Sequence, residues 1–371
     1  MRPAYSVIYS FKGKGLGDGA HPTAGLIDVT GTLYGTTPAG GANGEGTVFA
    51  ITTSGKETVL YSFGSGSGDG GHPAAGLTDV NGMLYGTTSG GGAGNQGTVF
   101  SITTSGAETV LHSFGSSGDG SYPYAGLTHV NGTLYGTTEE GGYYTDGTVF
   151  SITTTGKEAV LHSFGDSGDG AEPQADLINV NGTLYGTTFR GGANCDRSRG
   201  LCGTVFSTTT SGTESVLHTF GKGSDGRLLR AGLINVKGRL YGTTQAGGKH
   251  DDGTVFSITT AGNEAVLHSF GGSGDAADPL AGLSNLKGTL YGTTYDGGGN
   301  GCFNGLGCGT VFSVTTTGTE RVLYSFLGGS DGASPQARLI NVNGTLYGTT
   351  SRGGAHCLKH GGCGAVFTLS P

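Results

Sequence analysis

The string Leu-Tyr-Gly-Thr-Thr recurs seven times, with its tyrosine at Tyr34, Tyr85, Tyr135, Tyr185, Tyr241, Tyr291 and Tyr347. The spacings are 51, 50, 50, 56, 50 and 56 residues. A second string, Gly-Thr-Val-Phe, ends at Phe49, Phe100, Phe150, Phe206, Phe256 and Phe312, and returns as Gly-Ala-Val-Phe at Phe367. A third ends at Phe11, Phe63, Phe114, Phe164, Phe220, Phe270 and Phe326. A period of about 50 residues means that one supersecondary unit is stacked on copies of itself.

Each unit reads as four short strands. In the second unit, Ala75–Val80 is a strand, Asn81-Gly82 is a type I′ hairpin signal, and Met83–Thr88 is the next strand. A glycine-rich loop follows, then strands at Thr98–Thr104 and Thr109–Phe114. The cores are β-branched and aromatic, and the punctuation is Gly, Asn, Asp and Ser. Helices are ruled out by composition, since 80 of 371 residues are glycine and each interior glycine costs a helix about 1 kcal/mol relative to alanine.

Seven four-stranded units suit a β-propeller. An open solenoid would need atypical capping repeats. The chain instead begins with a lone fourth strand, Ser6–Phe11, and ends on a third strand, Cys363–Leu369. Joining the two completes the seventh blade. The expectation is an all-β, seven-bladed propeller closed 3+1, with residues 1–371 as one domain.

These strings, with Asp-Gly-x-x-Pro-x-Ala-Gly-Leu before the first strand, resemble the GloVer tandem repeat of bacterial secreted proteins. The resemblance spans essentially the whole chain. It implies a β-propeller and export from the cell, and it implies no catalytic or ligand residues. Met1-Arg2-Pro3 leads straight into the first strand, so any leader is expected to have been removed.

The six cysteines form three close pairs, Cys195/Cys202, Cys302/Cys308 and Cys357/Cys363, each within one loop between second and third strands. Local disulfides are the economical reading and imply an oxidising compartment, secreted, surface-bound or periplasmic. His356, Cys357, His360 and Cys363 could be read as a zinc set, but the other pairs lack such histidines. No metal and no cofactor are expected. The net charge of −8 argues against general nucleic-acid binding, and no apolar run is long enough for a membrane span.

Residues present in every unit belong to the architecture. The recurring aspartates from Asp18 to Asp331 read as turn caps. So do Asp28, Asp79, His129 and their equivalents before the first hairpin. The histidines His112, His162, His218 and His268 replace an outer-strand tyrosine and read as packed or surface residues.

A single asymmetric ligand needs residues that break the repeat. The extra aromatics Tyr122, Tyr124, Tyr143, Tyr144, Phe189, Tyr295 and Phe303 lie in two loop classes that emerge on one face of a propeller. Seven of ten arginines, among them Arg190, Arg197, Arg199, Arg230 and Arg352, lie in or beside the same loops. At the entry to the innermost strand five units carry glycine, whereas Asp176 and Arg338 stand in units four and seven. Glu172 and Asp278 stand near the same rim. The opposite face is plain, with a glutamate recurring from Glu57 to Glu320.

The expected ligand-binding set is therefore Asp176, Arg338, Arg230, Glu172, Tyr122, Tyr124, Arg190, Phe189, Tyr295 and Arg352 at the channel mouth. Arginine pairs bidentately with carboxylates, so the expected partner is a polysaccharide or other anionic or hydroxyl-rich extracellular ligand. An enzyme on the same face is the alternative. A glycoside hydrolase would pair Asp176 with Glu172 or Asp278. A polysaccharide lyase would use Tyr122, Tyr124 or His129 as base beside Arg230 or Arg338. A structural extracellular assembly protein is a third reading, and a rim salt-bridge network without a ligand is the plainest one.

Overall fold

The computed structural model describes residues 3–165, 168–193, 202–272, 275–299, 302, 305–357 and 361–371. Among them lie seven four-stranded antiparallel sheets arranged as a β-propeller. Blade one comprises Ile27–Val29, Thr32–Thr37, Thr47–Thr52 and Glu57–Ser62, and five more blades repeat it. In the seventh, Ala4–Ser10 pairs with Ala365–Ser370, from Ala4 opposite Ser370 to Ser10 opposite Ala365. The ring closes 3+1, and both strand edges that closure joins are removed from solvent. Helical structure among the described residues is confined to short 3₁₀ turns, such as Lys14–Leu16 and Gly329–Asp331.

The innermost strands are shorter than the sequence suggests: Thr78–Val80 rather than Ala75–Val80. The cause is a bond to the neighbouring blade. Thr36 Oγ1 donates to the Ala75 carbonyl at 2.7 Å, and Thr87 does the same to Ala125 at 2.8 Å. The fourth residue of each Leu-Tyr-Gly-Thr-Thr string makes this bond, including Thr349 to Ala24 across the closure. The alanine segment thus leaves its own ladder to satisfy a buried carbonyl from the side.

Between blades the packing is aromatic. Phe63 of blade one meets Phe100 of blade two edge-on at 5.1 Å between centroids, and Phe114 meets Phe150 at 5.2 Å. Seven such pairs close the circle, ending with Phe326 and Phe367. Full burial of a side chain of this size contributes about 1.5–3 kcal/mol. The glycine of Leu-Tyr-Gly-Thr-Thr makes room for it: a Cβ on Gly86 would lie 2.6 Å from Phe100 Cζ and 2.9 Å from Leu77 Cδ2.

The hairpin turns form as the sequence predicts, with Asn81 and Gly82 both at positive φ. Asp79 Oδ1 accepts from the Gly82 amide at 2.8 Å. His129 takes the same place, its Nε2 accepting from Gly132 at 3.0 Å, so it is a turn cap and not a channel ligand.

The two variable loop classes are stitched together on one face. Gly70–Gly71, ahead of blade two, pairs with Gly90–Gly91, after its second strand. Five other blades repeat this ribbon, and in blade seven a single bridge joins Ala333 to Arg352. The disulfides Cys302–Cys308 and Cys357–Cys363 close two of these loops. Cys202 is disulfide-bonded; Cys195, together with Arg197, Arg199, Phe303 and His360, lies outside the described residues.

The channel mouth as a candidate binding site

Three rings of side chains lead into the channel, and the repeat sets the backbone of each. The outer ring is the residue ahead of the Pro-x-Ala segment: His21, His72, Tyr122, Glu172, Leu228, Asp278 and Ser334. Each has φ between 53° and 61°, and each amide donates to the preceding blade, as Glu172 does to the Asp146 carbonyl at 2.9 Å. A non-glycine residue in left-handed backbone costs of order 1 kcal/mol. Glycine would relieve that strain, yet in a chain with 80 glycines none of these seven positions carries one.

The middle ring lies two residues further on. Thr23, Ala74, Tyr124, Gln174, Arg230, Leu280 and Gln336 all line a cavity of about 540 Å³ at the mouth. On one side the cavity is completed by Glu139, Glu172, Phe189 and Arg190. Here the Arg230 guanidinium lies 4.4 Å over the Phe189 ring, and that of Arg190 lies 5.5 Å away from it. Arg230 Nε donates to Gln245 Oε1 at 2.9 Å. No hydrogen bond among the described residues uses its terminal amino groups. Arg190 donates to Glu172 Oε1 at 2.8 Å, and Gln174 Nε2 donates to Glu139 Oε1 at 2.5 Å.

Burial pushes the Glu139 carboxyl up, and the neighbouring Glu172 and Glu140 add to the rise while Arg230 opposes it. Burial likewise holds the Arg230 guanidinium below its usual range, countered by Glu139 and Glu172, and raises the Tyr124 hydroxyl. Opposite charges in one partly dry cavity interact more strongly than at a free surface.

The innermost ring is the strand entry. A Cβ on Gly76 would lie 3.3 Å from the Gly25 carbonyl oxygen, and one on Gly232 would lie 3.0 Å from that of Asp176. Two blades nevertheless place charged side chains here. Asp176 Oδ1 accepts from the Gly126 amide at 2.5 Å, and Arg338 packs its Cδ 3.9 Å from where a Gly282 Cβ would be. Both line the channel cavity of about 300 Å³. Water reaches them along the channel, yet protein surrounds them. That enclosure raises the Asp176 carboxyl and lowers the Arg338 guanidinium, each partly offset by the other's charge. The two face each other electrostatically without forming a hydrogen-bonded pair.

A second patch lies across the rim. Arg352 lies 5.9 Å over the Tyr295 ring, and both line a cavity of about 510 Å³ with His21 and Gln336. Near it Asp278 and Asp296 share a hydrogen bond. Burial followed by the charges of Asp296 and Asp252 pushes Asp278 up to about 6, and burial also raises Asp296. Arg227 is engaged elsewhere, with Nη2 2.6 Å from Asp251 Oδ2.

Of the residues expected from sequence, Tyr124, Glu172, Phe189, Arg190 and Arg230 meet in one cavity, Asp176 and Arg338 in the channel beneath, and Tyr295 and Arg352 in the second patch. Tyr122 occupies the strained outer ring and is not among the residues lining the mouth cavity. The three carboxylates considered for a glycosidase have separate partners: Asp176 faces Arg338, Glu172 binds Arg190, and Asp278 binds Asp296. Sequence reading missed Glu139, Gln174 and Gln245. Gln174 and Arg230 occupy the same position of the repeat, so its variation was the available signal.

The model of the Gloeobacter/Verrucomicrobia repeat matches residues 1–198 and 194–371. The chain belongs to this repeat family. No curated protein matches it. Among solved structures it is similar to virginiamycin B lyase from Staphylococcus aureus, at 15% identity and a TM-score of 0.63, covering 100% of this chain and 99% of that one. It is also similar to a streptogramin B lyase structure, at 12% identity and a TM-score of 0.61, covering 100% and 98%. At these identities the likeness is one of fold.

Proposed function

We propose that the chain is an exported binding module that takes an anionic, hydroxyl-rich ligand, such as an acidic glycan, at the channel mouth. The observation that carries the reading is Arg230: stacked on Phe189, held through Nε by Gln245, and facing a cavity of about 540 Å³. A guanidinium fixed in this way pairs bidentately with a carboxylate at little ordering cost. Tyr124, 41% exposed, adds flat apolar surface for a sugar ring. The strained, glycine-free outer ring supports a face kept for its side chains. The disulfides Cys302–Cys308 and Cys357–Cys363 fit an oxidising compartment, and no helix among the described residues is long and apolar enough to cross a membrane.

The test is a titration with uronate-containing and neutral oligosaccharides. Saturable binding of the acidic set, weakened at least tenfold (about 1.4 kcal/mol) in Arg230→Ala with the melting temperature unchanged, is the expected result. Equal affinity for the variant, or no binding of any acidic sugar, overturns it.

A second reading rests on the raised carboxyl of Glu139 beside Arg230 and Tyr124, a combination suited to proton transfer next to a bound anion. It predicts new short products in the same mixtures, lost in Glu139→Gln. Binding without products leaves the module reading alone.

A further inference from the structure

At the outer edge of the ring, seven junctions between blades are built alike. An aromatic or imidazole near the end of one outer strand meets the aspartate of the following loop, and the first residue of the next outer strand reaches toward both. In four consecutive junctions the trio is His, Asp and Glu: His112/Asp119/Glu158, His162/Asp169/Glu214, His218/Asp225/Glu264 and His268/Asp275/Glu320. In each trio one donor atom per residue lies within 4.8 Å of the other two.

The imidazole Nε2 donates to the aspartate Oδ2 at 3.0–3.3 Å. The aspartate is oriented from behind, its Oδ1 accepting the next backbone amide, as Asp119 does from Gly120 at 2.8 Å. The glutamate is left over. No hydrogen bond joins the side chain of Glu158, Glu214, Glu264 or Glu320 to any described group, and Oε1 of each is buried without a partner. Oε1 is buried without a partner in Glu57 and Glu108 as well, where tyrosine replaces the histidine. What sets these four junctions apart is that two carboxylates turn toward an imidazole, a donor set suited to a cation. The imidazoles are 21–26% exposed, so an ion can enter from solvent.

We propose that these four junctions are binding sites for a divalent first-row transition ion of the zinc type. One imidazole nitrogen and two carboxylate oxygens are the donors such ions take at about 2.0–2.2 Å. Three protein ligands leave the remaining positions to water. Two carboxylates neutralise the ion's charge. Each ion joins a strand of one blade, the connecting loop and a strand of the next, so four ions lace blades two to six together. This departs from the expectation, drawn from sequence, of no metal.

The other three junctions are an internal control. There tyrosine replaces histidine, and its hydroxyl donates to the aspartate, from Tyr9 to Asp18 at 2.7 Å, Tyr61 to Asp69 at 3.0 Å and Tyr324 to Asp331 at 2.7 Å. In the last, Tyr5 also stands where the glutamate would be, stacked on Tyr324 at 3.8 Å. A neutral phenol is a poor ligand, so these junctions bind no ion. His→Tyr is therefore a substitution this fold already accommodates.

The experiment is calorimetric titration of the chelator-treated full chain with Zn²⁺, and separately with Ca²⁺, alongside thermal melting. The expected result is four zinc sites per chain, three in His162→Tyr, and none in the variant with all four histidines changed to tyrosine. Zinc raises the melting temperature of the parent and not of the fourfold variant, and Ca²⁺ does neither. The fourfold variant keeps His21, His72, His129, His250, His356 and His360, so it separates these sites from adventitious histidine binding. A zinc count unchanged in the His→Tyr variants, or no saturable zinc binding by a parent that melts cooperatively, overturns the proposal and leaves the trios as His–Asp ion pairs.

Discussion

Between the blades, near the outer edge, the same few residues recur around the circle: phenylalanine against phenylalanine, and tyrosine or histidine against aspartate. At the channel mouth the backbone recurs just as faithfully, but the side chains do not. Positions that are equivalent by sevenfold rotation hold threonine, alanine, tyrosine, glutamine, arginine, leucine and glutamine. The junctions use repetition to distribute stability. The mouth uses an identical frame to hold unlike groups in register, which is how a symmetric ring acquires an asymmetric site.

The largest effect that sharpens this contrast lies in the junctions. Phe150→Ala removes a fully buried ring that packs against Phe114 and is expected to cost about 3–5 kcal/mol, measured by denaturant unfolding. A cost below about 1 kcal/mol would mean that the phenylalanine pairs do not hold the blades together.

A smaller effect is a pH dependence to which two tyrosine junctions contribute, alongside the histidine junctions, where burial also pushes Glu158, Glu214, Glu264 and Glu320 up to about 7. Burial, followed by the charge of Asp18, pushes Glu57 up to about 7, and burial with Asp69 does the same to Glu108. A folded-state pKa above the unfolded value means that the native state holds the extra proton. Its stabilisation is complete below the ordinary glutamate range and is lost as pH rises through about 7. The melting temperature, read with chelator present, should therefore fall between pH 5 and 8. The fall should be shallower in the Glu57→Gln/Glu108→Gln double variant. An identical slope in both proteins removes these two residues from the account.

The smallest effect belongs to the mouth. Tyr122→Gly exchanges left-handed strain for backbone freedom, two contributions of about 1 kcal/mol that oppose each other. Its unfolding free energy should stay within about 1 kcal/mol of the parent. A larger loss would show that the rim side chains are structural, and the contrast between the two regions would fail.

The blades were readable because each signature meets a local demand: Asn81-Gly82 for a hairpin, Gly86 for a phenyl ring, Thr87 for a neighbour's carbonyl. The charged side chains of the mouth were readable as departures from that pattern, which exposed Asp176, Arg338 and Arg230. Glu139 was not, because it belongs to blade three and acts on residues of blades four and five. Only the geometry of neighbouring loops brings them together. The recurring glutamates misled for a related reason. In sequence Glu158 follows an exposed turn and looks like part of a plain face, whereas in the ring it reaches the histidine and aspartate of the preceding junction. A repeat shows what each unit contains and not how far it leans onto the next.

The closing strand also determines how the ring gives way under load. Ala4 lies opposite Ser370 and the ladder runs inward from there to Ser10 and Ala365, so tension applied through the two strand ends loads one rung at a time. Such a seam parts by unzipping rather than by shear, at low force, and it frees blade seven before any other blade feels the pull. The circle that spreads heat evenly over seven junctions therefore has, for mechanical work, a single designated point of opening.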